Sequence, residues 1–351
     1  MIGPSQKQNT AKDSIAIQSG GDTNINNGLS ANQMREIMEC IADQLPRYAA
    51  IAASVVEERL KTFEEKIVQR FDKDPSTENR AFEDPDFQFL LLEAQKSFSR
   101  SGDENTAEIL VDLISQRSKE SSRTRRALNI NKAVEVASQL TENEIAELAV
   151  IFCFRSVKFF YVLDERSLAD YFNTKIVPFI DRISRETASY SYMESLGCGK
   201  ISMGNISFDD VMRQSYPQAT SVSPKIEQLT SQIEKDFIED VIRAGLLRVS
   251  STGKLLQVIN NVGDFKIAIE NCGLSSNQAD DLFNMTAPTP FNSTHFIAEL
   301  SELCPRIGEI MEIWDKTDLC RFELSGVGTS IGYFSLRRET DFDGDIDIWV
   351  K

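Results

Sequence analysis

Thr141–Leu163, TENEIAELAVIFCFRSVKFFYVL, is the most apolar stretch of the chain, and its reading decides the fold. Thr141 followed by Glu144 spells a capping box, in which hydroxyl and carboxylate each satisfy a backbone N–H that the first helical turn leaves unpaired. From Ile145 onward apolar residues surround the helix: Leu148, Phe152, Phe159 and Leu163 on one side, Val150, Phe154, Val157 and Tyr161 on others. A helix that is hydrophobic nearly all round belongs in a core. A membrane span would need about twenty predominantly apolar residues, and Arg155 and Lys158 interrupt this run. The expectation is a buried helix over 141–163 around which the rest packs.

Working outward, 351 residues with 41% hydrophobic and 26% charged side chains describe an ordinary globular protein long enough for two or three domains. The net charge of −16 repels polyanions, so duplex nucleic acid would need a local basic patch acting against the overall field. Nucleic acid is not an expected partner. Six cysteines (Cys40, Cys153, Cys198, Cys272, Cys304, Cys320) show no C-x-x-C spacing and His295 is the one histidine, so no zinc site can be drawn. No signal-peptide core opens the chain, and scattered thiols suit a reducing compartment; the expectation is a cytoplasmic protein.

Residues 1–29 are polar and rich in Gly, Asn, Gln and Ser. Ile15 and Ile17 would share one face of a short strand, with Gln18 beside them, and Ile25 would lie in a second strand after Gly20-Gly21-Asp22. Two such strands are marginal alone, whereas copies stacked from several chains would pair every backbone group. A disordered tail and a self-association tag using Ile15, Ile17, Gln18, Gly20 and Ile25 both remain open. From Ser30, with Gln33 completing a second capping box, apolar residues from Met34 to Phe71 recur at about 3.7 residues per step, near an eleven-residue repeat. Pro46 should break or kink this helix near Leu45. Its stripe would serve either helix association between subunits or packing on its own chain.

Asp72–Pro85 reads as a linker. Helices follow at about 85–99, 104–118, 124–139, 141–163 and 167–195, the last kinked at Pro178, joined closely enough to form a bundle. After Gly197 the elements shorten. A helix is expected from Ser223 to Ala244, then a hairpin over Gly245–Val258, a helix over 294–314, a strand over 320–324, a helix over 327–338 and a final strand over 345–350. Helices followed by two strands and a turn are the order of a winged helix. The predicted fold is mainly α: a tag over 1–29, a long amphipathic helix and linker over 30–78, a helical bundle over 79–215, and a small α/β, winged-helix-like domain over 216–351.

Motifs for chemistry are incomplete. Ser325-Gly326-Val327-Gly328-Thr329 with Asp345 and Asp347 on a strand has part of a nucleotidyltransferase pattern, in which alternate carboxylates share a face and bind Mg²⁺. Thr329 does not close a Gly-Ser pair, and no downstream strand supplies a third carboxylate. Asp341, Asp343, Asp345 and Asp347 match only a fragment of an EF-hand. Gly197-Cys198-Gly199-Lys200 lacks the first glycine of a phosphate loop and reads as a plain loop; His295, at a helix start, suits capping better than catalysis. The concentrated basic run, Arg117 to Arg126, offers Arg123, Arg125 and Arg126 as candidate phosphate contacts, or a solvated helix junction. No catalytic, cofactor or metal residue is assigned.

The two ends, Ala16-Ile17-Gln18-Ser19-Gly20-Gly21-Asp22 with Ile25-Asn26-Asn27-Gly28-Leu29-Ser30, and Leu324-Ser325-Gly326-Val327-Gly328 with Asp345-Ile346-Asp347-Ile348-Trp349, resemble an uncharacterised family of bacterial proteins known by locus-tag names. That resemblance implies no activity and no catalytic residue. Ile17-Gln18-Ser19-Gly20 is also similar to the core of amyloid-type signalling motifs through which bacterial immune proteins recruit effectors. The reading that follows is a non-enzymatic, self-associating protein, an adaptor or sensor in antiviral defence with a protein partner at the tag. The alternatives are a winged-helix nucleic-acid-binding regulator and a divergent or inactive nucleotidyltransferase-like enzyme.

Overall fold

A computed structural model of the protein describes residues 31–74, 76–120, 123–250, 252–287 and 289–350. The tag residues Ile15, Ile17, Gln18, Gly20 and Ile25 lie outside the described residues, as does Ser30. The chain divides into one unit, Met1–Val55, and a second, Val56–Lys351. Among the described residues it is mainly helical, with short antiparallel strands, and no helix is long and apolar enough to cross a membrane.

Helix α1, Ala31–Lys73, runs on through Pro46 rather than breaking there. Proline removes the bond from residue 46 to the carbonyl of residue 42, but the helix around it is exposed, so water can satisfy that carbonyl. Within the first unit, Leu45, Tyr48, Ile51 and Val55 of α1 are 40–55% exposed. Within the second, Phe63 and Ile67 are buried.

The second unit continues with α2 (Pro85–Ser101), α3 (Glu104–Ser118), α4 (Arg125–Ala137) and α5 (Glu142–Ser156). Each start has a local cause. The Asp84 side chain accepts from the Asp86 N–H, Asp103 from Asn105 and Thr106, Thr124 from Ala127, and the Thr141–Glu144 box opens α5. Phe63 stacks on Phe98 at 5.4 Å, and Lys66 meets Glu104 at 2.9 Å and Glu108 at 2.6 Å, fixing this half of α1 to α2 and α3. The expected linker holds a 3-10 turn, Asn79–Glu83, that sets Phe82 between Phe71 and Phe87.

Several expected elements are shorter than the sequence suggests. α5 ends at Ser156, not Leu163. The helix expected over 167–195 is α6 (Glu165–Tyr171), a π turn (Phe172–Ile176), α7 (Val177–Ile180) and α8 (Thr187–Ser195). Pro178 near the start of α7 lacks the N–H a continuous helix would use, and the wider turn precedes it. Of Gly197–Lys200, expected as loop, Gly199 and Lys200 enter strand β1 (Gly199–Ile201); α9 (Phe208–Ser215) and β2 (Ser221–Val222) follow. The helix expected over 223–244 is two, α10 (Ile226–Leu229) and α11 (Lys235–Arg243), with the Thr230 hydroxyl bonding back to the Glu227 carbonyl at the break.

The hairpin forms as β3 (Leu247–Val249) against β4 (Leu255–Gln257), with Arg248 opposite Leu256. Next come α12 (Val262–Asn271), α13 (Ala279–Thr286) and β5 (Thr289–Pro290). Around Pro305 the helix expected over 294–314 divides into α14 (Ser293–Leu300) and α15 (Ile307–Lys316). β6 (Phe322–Leu324) and α16 (Gly326–Glu339) follow, and the expected final strand is a 3-10 turn, Ile346–Ile348.

Pairing is nested: β1 with β6 (Gly199 opposite Leu324), and inside that β2 with β5 (Ser221 opposite Pro290). Side chains of residues 216–351, expected as one domain, divide between two cores. Leu229, Ile238, Val241, Leu255, Phe265 and Ile269 form a small cluster, while Trp314, Phe322, Ile331 and Phe342 join the main one. α16 lies along α5 and α4. A Cβ on Gly332 would sit 2.5 Å from the Leu148 carbonyl oxygen, and one on Gly328 2.0 Å from that of Cys198. The glycine spacing that suggests a phosphate turn therefore serves close helix packing.

Candidate functional site

Why α5 stops explains one cleft of the second unit. At Val157 the backbone turns extended, and the Ser156 carbonyl, orphaned at the helix end, accepts the Trp349 indole N–H at 2.8 Å. Apart from Lys158, the residues from Val157 to Val162 are β-branched or aromatic, poor at extending a helix. Phe159 N–H donates to the Tyr216 hydroxyl at 3.3 Å, and Asp164 then caps α6. Val157 and Val162 are buried in the main core, while Phe160 is 95% exposed.

Residues 158–163 thereby form one wall of a cleft of about 310 Å³. Tyr216 and Pro217 line a second side, and Leu256 and Gln257 of β4 face them from the small module. That module is anchored by Lys254, whose ammonium pairs with buried Glu165 and, at 3.3 Å, with Glu299. Gln218 also donates to the Gln257 carbonyl at 3.2 Å. Behind the wall, the Cys153 thiol contacts the Tyr171 hydroxyl at 3.6 Å and the Tyr171 ring meets Tyr216 at 5.3 Å. Burial pushes the Cys153 thiol up to about 12 and both phenols upward, so all three stay neutral at ordinary pH. Lys175, carried on the π turn, lies 5.6 Å over the Phe159 ring and pairs with Asp341; burial lowers its pKa.

The residues singled out from the sequence lie elsewhere and apart. Arg123 and Arg125 are exposed, but Arg126 is committed to Glu120 at 2.8 Å and Asp347 at 2.7 Å. Arg117, from the same run, is buried against Asp86, Asp84 and Asn131. The two carboxylates expected on one strand face have separate tasks, Asp345 capping the last 3-10 turn and Asp347 holding Arg126, and Asp341 of the EF-hand fragment pairs with Lys175. Among the described residues no group of His, Cys, Asp and Glu could hold a metal ion. The Ser325 hydroxyl accepts from the Val327 and Gly328 N–H groups and donates to the Gly197 carbonyl, tying α16 to β1. At His295 the cap is Asn292, which accepts the His295 backbone N–H at 3.0 Å, while the imidazole stacks on Phe291.

Lys158, Tyr216, Ser223 and Leu256 of the cleft are not visible as a group in the sequence, because no periodicity links residues so far apart. Lys158 carries a signal, a charge inside an apolar run, but by spacing alone it marks only an interruption of a helix.

No curated protein and no solved structure matches the chain. A family model described only as ":-like" matches residues 28–350, from just before α1 to the last described residue. The chain belongs to that uncharacterised family.

Proposed function

We propose that the protein is a non-enzymatic, self-associating scaffold whose chains meet through the first part of α1. The observation that carries this is the exposed apolar face of that helix: Leu45, Tyr48, Ile51 and Val55, each 40–55% exposed. Leu45, Tyr48, Ala52 and Val55 follow the three-four spacing of a coiled-coil seam, and the flanking Ala42, Gln44, Ala49 and Ile51 carry no charge. A second copy thus offers a complementary face with no like-charge repulsion across it.

Association through α1 would raise the local concentration of the segment before it, which gains from stacking on copies of itself. The likeness of Ile17–Gly20 to amyloid-type signalling motifs supports extending the reading to a cytoplasmic adaptor or sensor in antiviral defence, recruiting a protein partner through that segment. A winged-helix, nucleic-acid-binding role would rest on Arg123 and Arg125, since Arg126 is paired, and a nucleotidyltransferase role would rest on Asp345 and Asp347, which cap the last 3-10 turn and pair with Arg126.

Light scattering on four proteins tests the proposal: the full chain, a chain lacking residues 1–28, Ile17→Asp, and Leu45→Glu with Val55→Glu. The full chain should be oligomeric, the α1 double variant monomeric, and the other two smaller than the full chain. A monomeric full chain, or equal masses for all four, would overturn it.

A further inference from the structure

We infer that the cleft between residues 158–163 and β4 binds a small amphipathic anion, a ring-sized apolar body carrying one carboxylate. A cleft of about 310 Å³ is of the size that encloses a small molecule. Its walls are apolar, with Phe159, Val162, Tyr216 and Leu256 facing the space, and Phe160, 95% exposed, stands at the edge where a ring could stack on it.

The polar groups set the ligand's character. Ser223 lines the cleft, is only 5% exposed, and its hydroxyl has no partner among the described residues. Its oxygen keeps some accessible surface, so it opens onto the cleft it lines, and without a protein partner it has capacity left for a ligand. Gln257, by contrast, spends its amide N–H groups on the Phe283 carbonyl and the Thr286 hydroxyl. Among the described residues the single charge on the lining is Lys158 and no Asp or Glu lines the cleft, although the chain as a whole carries −16. Lys158 makes no ion pair among the described residues, and its one hydrogen bond, to the Gln214 carbonyl at 3.3 Å, leaves N–H groups available. An isolated cation beside an apolar cleft without carboxylates complements an apolar acid and disfavours a cation.

The test uses indole-3-acetate and its neutral isostere indole-3-acetamide, titrated calorimetrically into the full chain at low salt. The acetate should bind saturably at one site, about tenfold tighter than the amide, as expected for a charge-assisted hydrogen bond. Lys158→Gln, at an exposed position, should erase that preference and leave amide binding intact. Phe160→Ala and Ser223→Ala should weaken both molecules. Absence of saturable acetate binding up to millimolar concentration would overturn the inference, as would a preference that survives in Lys158→Gln or acetate binding unmoved by both cleft variants.

Discussion

Glu147 has no exposed surface and, among the described residues, no cation beside it. Its carboxylate accepts the Ser184 N–H at 2.9 Å and the Ser189 hydroxyl at 2.8 Å, and the groups facing it are Glu144 from its own helix and Tyr190 from α8. Burial therefore raises its pKa to about 8, from the 4.5 of a free glutamic acid. The folded state prefers the neutral acid. Its contribution is fully present below about pH 4.5 and is lost as the pH rises toward 8, because the unfolded chain releases the proton first. Glu147→Gln should accordingly melt close to the parent at pH 5 and several degrees above it at pH 8. A tenfold difference in proton affinity between folded and unfolded chains is worth about 1.4 kcal/mol, and about 1 kcal/mol moves the midpoint by roughly 2–4 °C in larger domains. Melting curves at the two pH values check this; a difference that does not widen with pH would mean that the carboxyl is not held neutral. The sequence shows Glu147 only as a charge inside an apolar run, between Ala146 and Leu148; that its carboxyl is buried depends on α8, some forty positions later.

Among the elements, helix starts are legible in the sequence because Asp84-Pro85, Thr124 and Thr141 with Glu144 act on the turn beside them. Helix ends are not. α5 stops where Trp349, 193 positions away, takes the Ser156 carbonyl, and no local pattern carries that information. The same distance hides the cleft, whose walls come from three separate stretches of chain, while the phosphate and metal motifs can be judged incomplete from spacing. The glycines of α16 are conspicuous in the sequence, yet their purpose lies in a neighbour the sequence does not name. Because a Cβ on Gly332 would meet the Leu148 carbonyl at 2.5 Å, Gly332→Ala should destabilise by about 1–3 kcal/mol, in the range of core overpacking. Gly308 in α15 has nothing within 4 Å of its added Cβ, so Gly308→Ala should be neutral or stabilising by up to about 1 kcal/mol. Chemical denaturation of the two variants checks the contrast, and equal effects would show that α16 does not approach α5 this closely.

On the scale of the second unit, the nested pairing makes residues 223–288 an insert that leaves and returns at one point, since Val222 stands opposite Thr289. Its small core is its own. Replacing 223–288 by a short Gly-Ser turn, with Glu165→Gln because Lys254 leaves with the insert, should preserve a cooperative melt of the main core. Circular dichroism and a thermal scan check this, and an insoluble product would show that the insert is integral to the main core. The outer pairing has the opposite character. α16, which covers α5, follows it by roughly 170 residues, so at 5–20 residues per second the ribosome delivers the cover roughly 10–30 s after the helix it protects. During that interval every nascent copy carries Leu148 and Phe152 without their final partner. Synthesis is thus a hazard that the finished fold does not share, and it persists until α16 emerges.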